Sequence, residues 1–347
     1  MVRGNSGTVE EIMQRINKDA KEELIVKGLP SYDYEKIPFT SPYMNYITYG
    51  GLPLGRLVEF YGEEGGGKTT TALDVVANFQ NEYPDKKVLY VDAENTLDTK
   101  WAMKLGVDIN NIYLYQPKIQ SAEEVFQLIV DMVDTGEIGL WVLDSLPCLT
   151  SKSDLEKQLT DDARVAGISG ALTRFCRMVV GPCAKHNCMG IGINQVRDKI
   201  GSTIPGLLST PGGRAWKHFC TNRIEFKKGT YMDETGNSLS RSSGSPDSQL
   251  IMVNMIKTKS CPPTRHVGQY TINYEIGIDY LKDVIDIGMT LGYINRKSGW
   301  YEFVNVDTGE ILGEKIQGQT RVKQYLEEHE DTLQMIEAGI DKVINEP

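Results

Sequence analysis

Apolar positions recur along this chain in two rhythms, and the change of rhythm divides it. Between residues 9 and 26, Ile12, Met13, Ile16, Leu24 and Ile25 stand among charged residues at roughly helical spacing. This predicts an amphipathic helix, closed by Gly28, Leu29 and Pro30. Such an isolated helix either packs on a neighbouring molecule or folds back on its own domain. From residue 49 to 278 short apolar runs take over, and residues 57–61, 88–91, 112–115, 140–143 and 189–193 read as buried strands. Helical patterns follow near 69–79, 98–104, 122–134 and 162–185. Alternation at this spacing predicts an α/β fold with a mostly parallel twisted sheet flanked by helices. Residues 222–227, 250–257 and 267–274 follow without long helices between them and are expected to extend the sheet in antiparallel fashion. Residues 229–248, rich in Gly, Ser, Asp and Asn, read as a mobile surface loop. No internal repeat is visible. The expected organisation is an N-terminal oligomerisation arm over 1–35, a core over 36–279 and a small C-terminal α/β domain over 280–347.

Composition narrows the class. With 347 residues, 40% hydrophobic and 24% charged, the chain is long enough for one large core and a smaller domain. No apolar run approaches a membrane span, and residues 1–5 carry no signal-peptide stretch. The six cysteines include no C-x-x-C pair. Cys183 and Cys188 bracket His186, which could suggest a metal, but without a second matching pair they read as a reduced structural set. The expected setting is reducing and cytoplasmic, in a bacterium or a phage-infected cell. A net charge of −10 argues against nucleic acid as a partner of the whole surface. Residues 195–228 run the other way, with seven basic residues against two acids. A basic stretch on an acidic protein is either an anion site or a solvated face, and charge alone does not choose.

The sharpest chemical signal is Gly62-Glu63-Glu64-Gly65-Gly66-Gly67-Lys68-Thr69-Thr70. It fits G-x-x-x-x-G-K-[ST] between a predicted strand and a predicted helix. Glycines let the loop curl close to an anion, and the helix N-terminus presents backbone N–H groups to it. Lys68 is placed to reach the β- and γ-phosphates of ATP, and Thr69 to ligate Mg²⁺. In residues 139–145 an apolar strand ends at Asp144, a carboxylate suited to hold Mg²⁺ directly or through water. Another strand ends in Asp92-Ala93-Glu94. Hydrolysis needs a group that orients or deprotonates water, worth roughly 10²–10⁴ in rate, and Glu94 is the candidate. The bland alternative is that Asp92 and Glu94 cap the next helix. A fifth strand ends in Asn194-Gln195, and the basic, glycine-rich stretch begins at once. An amide there can sense the γ-phosphate and pass the signal to an anion-binding loop.

These residues together resemble the RecA recombinases, the bacterial and phage strand-exchange ATPases. The resemblance runs from about residue 37 to 325. It is carried by residues 51–56 (Gly-Leu-Pro-Leu-Gly-Arg), the phosphate loop, 92–94, 97–98, 104–108, 142–145, 193–197, 199–201, 211–213, 257–259 and 299–301. It implies a RecA-like P-loop ATPase core, with Glu94 as the catalytic glutamate and Gln195 as the switch between γ-phosphate and DNA. Trp101 takes the position of the aromatic that stacks on adenine, with Asp98 near the exocyclic amine. Lys257 and Lys259 resemble the cations that reach a neighbouring subunit's ATP, and Tyr274 an aromatic near the nucleotide across that interface. Two DNA-facing loops are implied. The first covers about 156–167, with Arg164. The second covers about 195–214, with Arg197, Lys199, Ile204, Gly212, Gly213 and Arg214.

The implied partners are single-stranded DNA, homologous double-stranded DNA and further copies of the chain in a helical filament, with no membrane. The implied function is homologous pairing and strand exchange by a DNA-dependent ATPase. The alternatives are a ring-forming helicase or regulatory ATPase of the same superfamily, and a nucleotide-gated DNA scaffold. Some residues depart from the family pattern. Ile204-Pro205 stand where an aromatic is usual, and Gly65-Gly66 where two serines are usual. The 229–248 loop is longer, and the acidic tail is reduced to residues 327–331.

Overall fold

The computed structural model describes residues 7–21, 23–28, 34–118, 120–156, 168–198, 208–239 and 244–346. The chain forms two compact units, residues 1–34 and 35–347. In the first, helix α1 (Val9–Ala20) starts at a capping box in which Thr8 and Glu11 bond each other's backbone. It buries none of its residues. The helix is shorter than its apolar pattern predicts. Lys21 turns into the left-handed region at φ 53° and caps the C-terminus. The Asn17 side chain then holds the returning chain, donating to Ile25 O at 2.8 Å and accepting from Ile25 N at 2.9 Å.

The second unit is built on a nine-stranded sheet. Its strands are β1 (Leu57–Gly62), β2 (Lys87–Asp92), β3 (Ile112–Tyr115), β4 (Ile138–Asp144), β5 (Met189–Gln195), β6 (Asn222–Met232), β7 (Ser248–Lys257), β8 (Val267–Asn273) and β9 (Gly277–Ile278). They lie in the order β9-β8-β7-β6-β1-β5-β4-β2-β3. β6 pairs parallel with β1, so the antiparallel extension begins one strand later than the sequence suggests. The short helix α7 (Gly213–Phe219), which the apolar rhythm does not announce, supplies the crossover that a parallel β6 requires. β6 also runs through Met232, so residues 229–232, expected as loop, are strand.

The other helices of six or more described residues are α2 (Pro42–Thr48), α3 (Lys68–Glu82), α4 (Thr99–Lys104), α5 (Ala122–Asp134), α6 (Ser169–Lys185), α8 (Tyr280–Leu291), α9 (Gln319–Glu328) and α10 (Glu330–Asn345). Most of the early part of the predicted 162–185 helix lies outside the described residues. One core cluster packs α2 and α3 against one face of the sheet, and the other packs α5 and α6 against the opposite face. In α5 the burial of Ala122, Val125, Phe126, Ile129, Val130 and Val133 follows the helical period. β5 carries glycines because it underlies two buried indoles: a Cβ on Gly190 would meet Trp141 Cζ2 at 2.2 Å, and one on Gly192 would meet Trp216 Cζ2 at 2.3 Å. Cys176, Cys183, Cys188 and Cys220 are free thiols buried in the same cluster.

A third cluster joins α8 to α9, α10 and a three-stranded sheet of β10 (Ile294–Lys297), β11 (Trp300–Val304) and β12 (Ile311–Gln317). Asp283 of α8 is fully buried and accepts hydrogen bonds from Ser41 Oγ and from Tyr43 N, the latter at 3.0 Å. It thereby ties α8 to the start of α2. Burial pushes its carboxyl up to about 7, against the lowering effect of those two donors. The folded chain therefore holds this proton more tightly than the unfolded chain, where an aspartate titrates near ~3.9. Its contribution to stability is complete below that value and is lost as pH rises through about 7. Thermal melts from pH 4 to 8 should show a smaller decline in Tm for Asp283→Asn than for the unaltered chain. Parallel curves for the two proteins would contradict this assignment.

Candidate functional site

The phosphate loop lies between Gly62, the last residue of β1, and Lys68, the first of α3. Gly62 has no room for a side chain, since a Cβ would lie 2.0 Å from Phe226 O of the neighbouring strand. Gly67 N-caps α3 at φ 83°, a conformation that costs other residues free energy. Lys68 is buried, and its Nζ donates to Gly62 O at 3.1 Å and Glu63 O at 2.6 Å. Burial lowers its pKa, while Asp144, Glu94 and Glu64 act in the opposite direction. An ammonium held on loop carbonyls in this way can exchange them for phosphate oxygens at little cost in reorganisation.

Thr69 and Asp144 come together from α3 and β4, with Thr69 Oγ1 donating to Asp144 Oδ2 at 2.7 Å. Tyr90 OH of β2 donates to the same oxygen at 3.0 Å. Burial pushes the Asp144 carboxyl up to about 6; the Thr69 and Tyr90 donors oppose this and the nearby Glu94 and Asp92 add to it. Paired hard oxygen donors, one of them anionic, suit Mg²⁺ if phosphate and water oxygens complete its shell. Among the described residues no cluster of three or more His, Cys, Asp or Glu side chains forms a metal cage.

The two acids at the end of β2 take different tasks. Asp92 closes the turn, accepting from Thr96 N at 3.3 Å, Leu97 N at 3.0 Å and Gln116 Nε2 at 2.9 Å. Glu94 is spared that duty. Its Oε1 accepts from Ser145 Oγ at 2.6 Å and from Gln195 Nε2 at 3.2 Å. The helix cap falls instead to Asp98, whose Oδ1 accepts from the backbone of Lys100 and Trp101 at 2.8 and 3.2 Å. Trp101 then reaches back to the loop, its indole N–H donating to Thr70 Oγ1 at 3.2 Å. A cavity of about 430 Å³ opens here, lined by residues 65–70, Trp101, Tyr231, Gln249, Ile272 and Tyr274. Tyr274 thus lines the cavity of its own chain, and its hydroxyl donates to Gln249 Oε1 at 3.2 Å.

β5 carries the site toward the basic stretch. Asn194 Nδ2 donates to Glu59 Oε1 at 2.9 Å and to Pro211 O at 3.0 Å. It thus ties the start of the second loop to its end. Residues Arg197–Asp198 pair antiparallel with Leu208–Ser209 just beyond, which closes the loop's base. Arg197 and Arg214 are exposed at either side of that base. Gly212 and Gly213 lead into α7, with Gly212 at φ 94° as its N-cap. Arg164, Lys199 and Ile204 lie outside the described residues. Lys257 Nζ donates to the carbonyls of Lys217, His218 and Cys220 at 2.7, 2.8 and 2.6 Å, sealing the C-terminal end of α7. Burial and then Lys259 lower its pKa. Lys259 itself is exposed.

Several residues here escaped the sequence reading. Glu59 is wholly buried in β1, ion-paired with Arg223 and bonded to Asn194. A lone acid inside an apolar strand was the available signal, because such a charge needs a partner. Tyr231, Gln249 and Ile272 gave no local signal, since only the folded chain brings them to the site, and Ser145 stood in the strand-end motif with no role of its own until the fold set it against Glu94.

Comparison with known proteins fits this geometry. A family profile described as "RecA N-terminal domain" matches residues 8–279, and one described as "RecA C-terminal domain" matches residues 282–345. "Protein RecA" of Aquifex pyrophilus is 32% identical over 336 residues, covering 96% of this chain and 90% of that relative. "Protein RecA" of Teredinibacter turnerae is 34% identical over 292 residues, covering 84% of this chain and 79% of that relative. A solved structure titled "Crystal structure of the RadB recombinase" gives a TM-score of 0.49 at 20% identity, covering 68% of this chain and 95% of that one.

Trp101 lines the same cavity as residues 65–70 of the loop. Trp101→Ala should weaken nucleotide binding by ~1–3 kcal/mol, the usual worth of a base–aromatic stack. Calorimetric titration of the unassembled chain reads this directly, and unchanged affinity would take Trp101 out of the binding site.

Proposed function

The chain belongs to the RecA family, DNA-dependent ATPases of recombination and repair, and on that premise we propose how its ATP site and its DNA loops work as one device. The observation that carries the proposal is the hydrogen bond from Gln195 Nε2 to Glu94 Oε1 at 3.2 Å. It joins the group best placed to act on water to the residue from which the second loop departs.

In this reading the amides of residues 65–69 and the Lys68 ammonium bind the β- and γ-phosphates of ATP. Adenine stacks on Trp101, with Tyr274 nearby and the Asp98 carboxylate available to its amine. Thr69 and Asp144 would hold Mg²⁺, which when bound would supply charge neutralisation on the phosphate oxygens. Glu94 orients or deprotonates the attacking water. Gln195 exchanges Glu94 for the γ-phosphate, and that exchange moves the start of the second loop. Single-stranded DNA binds through its phosphates to Arg197, Arg214 and the amides of Gly212 and Gly213, with Lys199, Ile204 and the first-loop Arg164 completing the surface. Such contacts give affinity without sequence preference, as pairing of any homologous double-stranded DNA requires.

DNA binding and filament formation are family properties. The finer proposal is that ATP sits between protomers of a helical filament, with Lys257 and Lys259 neutralising transition-state charge from the adjacent subunit. Lys257 must then leave the carbonyls at the end of α7, the helix that directly follows the second loop. DNA on that loop is therefore placed to release it. The arm of residues 1–35, whose helix buries nothing within its own unit, docks on the next protomer in this reading. Among the described residues no helix is long and apolar enough to cross a membrane.

Two measurements test the proposal. Glu94→Gln should bind ATP and DNA yet lose turnover by about 10²-fold or more; near-normal turnover would remove Glu94 from the chemistry. Electron microscopy with single-stranded DNA and a slowly hydrolysed ATP analogue should show helical filaments. Closed rings would instead support the helicase reading.

A further inference from the structure

The groups around Glu94 include one whose place no nucleotide or DNA contact explains. Ser145 follows the Asp144 carboxylate and is buried, and its Oγ donates to Glu94 Oε1 at 2.6 Å. Gln195 Nε2 reaches the same oxygen at 3.2 Å, and Cys148 Sγ lies 3.7 Å from it. Among the described residues no donor reaches Oε2. The backbone fixes the same pairing, with Ala93 N and Glu94 N directed at Asp144 O at 2.7 and 3.3 Å. The carboxylate is therefore held by one oxygen at a rigid strand edge while the other stays open.

We propose that Ser145 is a positioning residue for ATP hydrolysis: its hydroxyl pins Oε1 of Glu94 so that Oε2 is presented to the attacking water. The inference rests on Glu94 acting on that water. Of the two good donors, only Ser145 can hold the carboxylate throughout a cycle. Gln195 ends a strand that continues into the second loop, and its amide is needed elsewhere once a γ-phosphate is bound. Ser145 is buried, and among the described residues its hydroxyl has no other partner except the weak Cys148 thiol, 3.5 Å away. A hydroxyl-to-carboxylate bond is of the strong, charge-assisted kind, and sub-ångström placement of a catalytic group governs rate more than binding.

The test uses the full chain on single-stranded DNA. Ser145→Ala and Ser145→Thr are compared with the unaltered protein, and Ser145→Ala is also placed in the Glu94→Gln background. Thermal melting checks the fold of each variant. Ser145→Ala should lower kcat about tenfold or more, with KM for ATP changed less than about twofold. Ser145→Thr, which keeps the hydroxyl, should retain most of the turnover. In the Glu94→Gln background Ser145→Ala should have no further effect, because no carboxylate is left to position. An equal loss in both backgrounds, or a loss carried by KM, would overturn the inference and leave the role of Glu94 standing. Turnover that survives Glu94→Gln would remove both.

Discussion

Everything at the site depends on the register of four parallel strands. Asp92 pairs with Asp144 across β2 and β4, and Gly62 with Gln195 across β1 and β5. Leu143 pairs with Gly192 across β4 and β5, so the two pairs lie two residues apart along the strands, and four chain segments distant in sequence end close together, each on a candidate functional residue or one or two positions before it. A parallel strand buried on both faces cannot slip without moving side chains from one core to the other. The buried Glu59–Arg223 pair and its bond to Asn194 add a polar lock within the same register, because a displaced strand would leave a charge unpartnered. The geometry of the proposed catalytic groups follows from the sheet.

In the proposed function that register also brings nucleotide and DNA chemistry together. Asn194 and Gln195 are adjacent, so they point to different sides of β5. One gathers the two ends of the second loop through Pro211, and the other touches Glu94. The loop runs directly into α7, whose last carbonyls are capped by Lys257 from β7. A contiguous path thus joins the proposed γ-phosphate side of the site, the loop proposed to face DNA and the cation proposed to serve the next protomer. In this account ATP acts as a clamp that orders the loop and bridges subunits, and hydrolysis releases both.

The fold class was readable because the strand and helix rhythms are strong and the glycine-rich loop falls at the junction between them. What escaped the sequence lies where tertiary structure overrode a local pattern. α1 ends early because Lys21 and Asn17 turn the chain, although apolar residues continue to Val26. β6 runs parallel to β1 because a seven-residue helix, too short to show periodicity, makes the crossover. At the site, motif residues such as Lys68, Thr69 and Asp144 could be named because their chemistry is local to a strand end. Ser145, Gln249 and Tyr231 could not, since each is an ordinary polar or aromatic residue until the sheet brings it against Glu94 or the cavity. Glu94 could be singled out for the attacking water from the sequence, but the closing of the following turn by Asp92 could not.

The central claim is that one ATP is served by two protomers, with Glu94 from one and Lys257 and Lys259 from the other. Subunit mixing tests it most directly. A Glu94→Gln chain and a chain carrying both Lys257→Ala and Lys259→Ala are each assayed alone on single-stranded DNA, then mixed. The account predicts little turnover from either alone and restored turnover in the mixture, because some interfaces then combine an intact Glu94 with intact lysines. A mixture as inactive as its components would place the lysines in the service of their own chain and contradict the shared site.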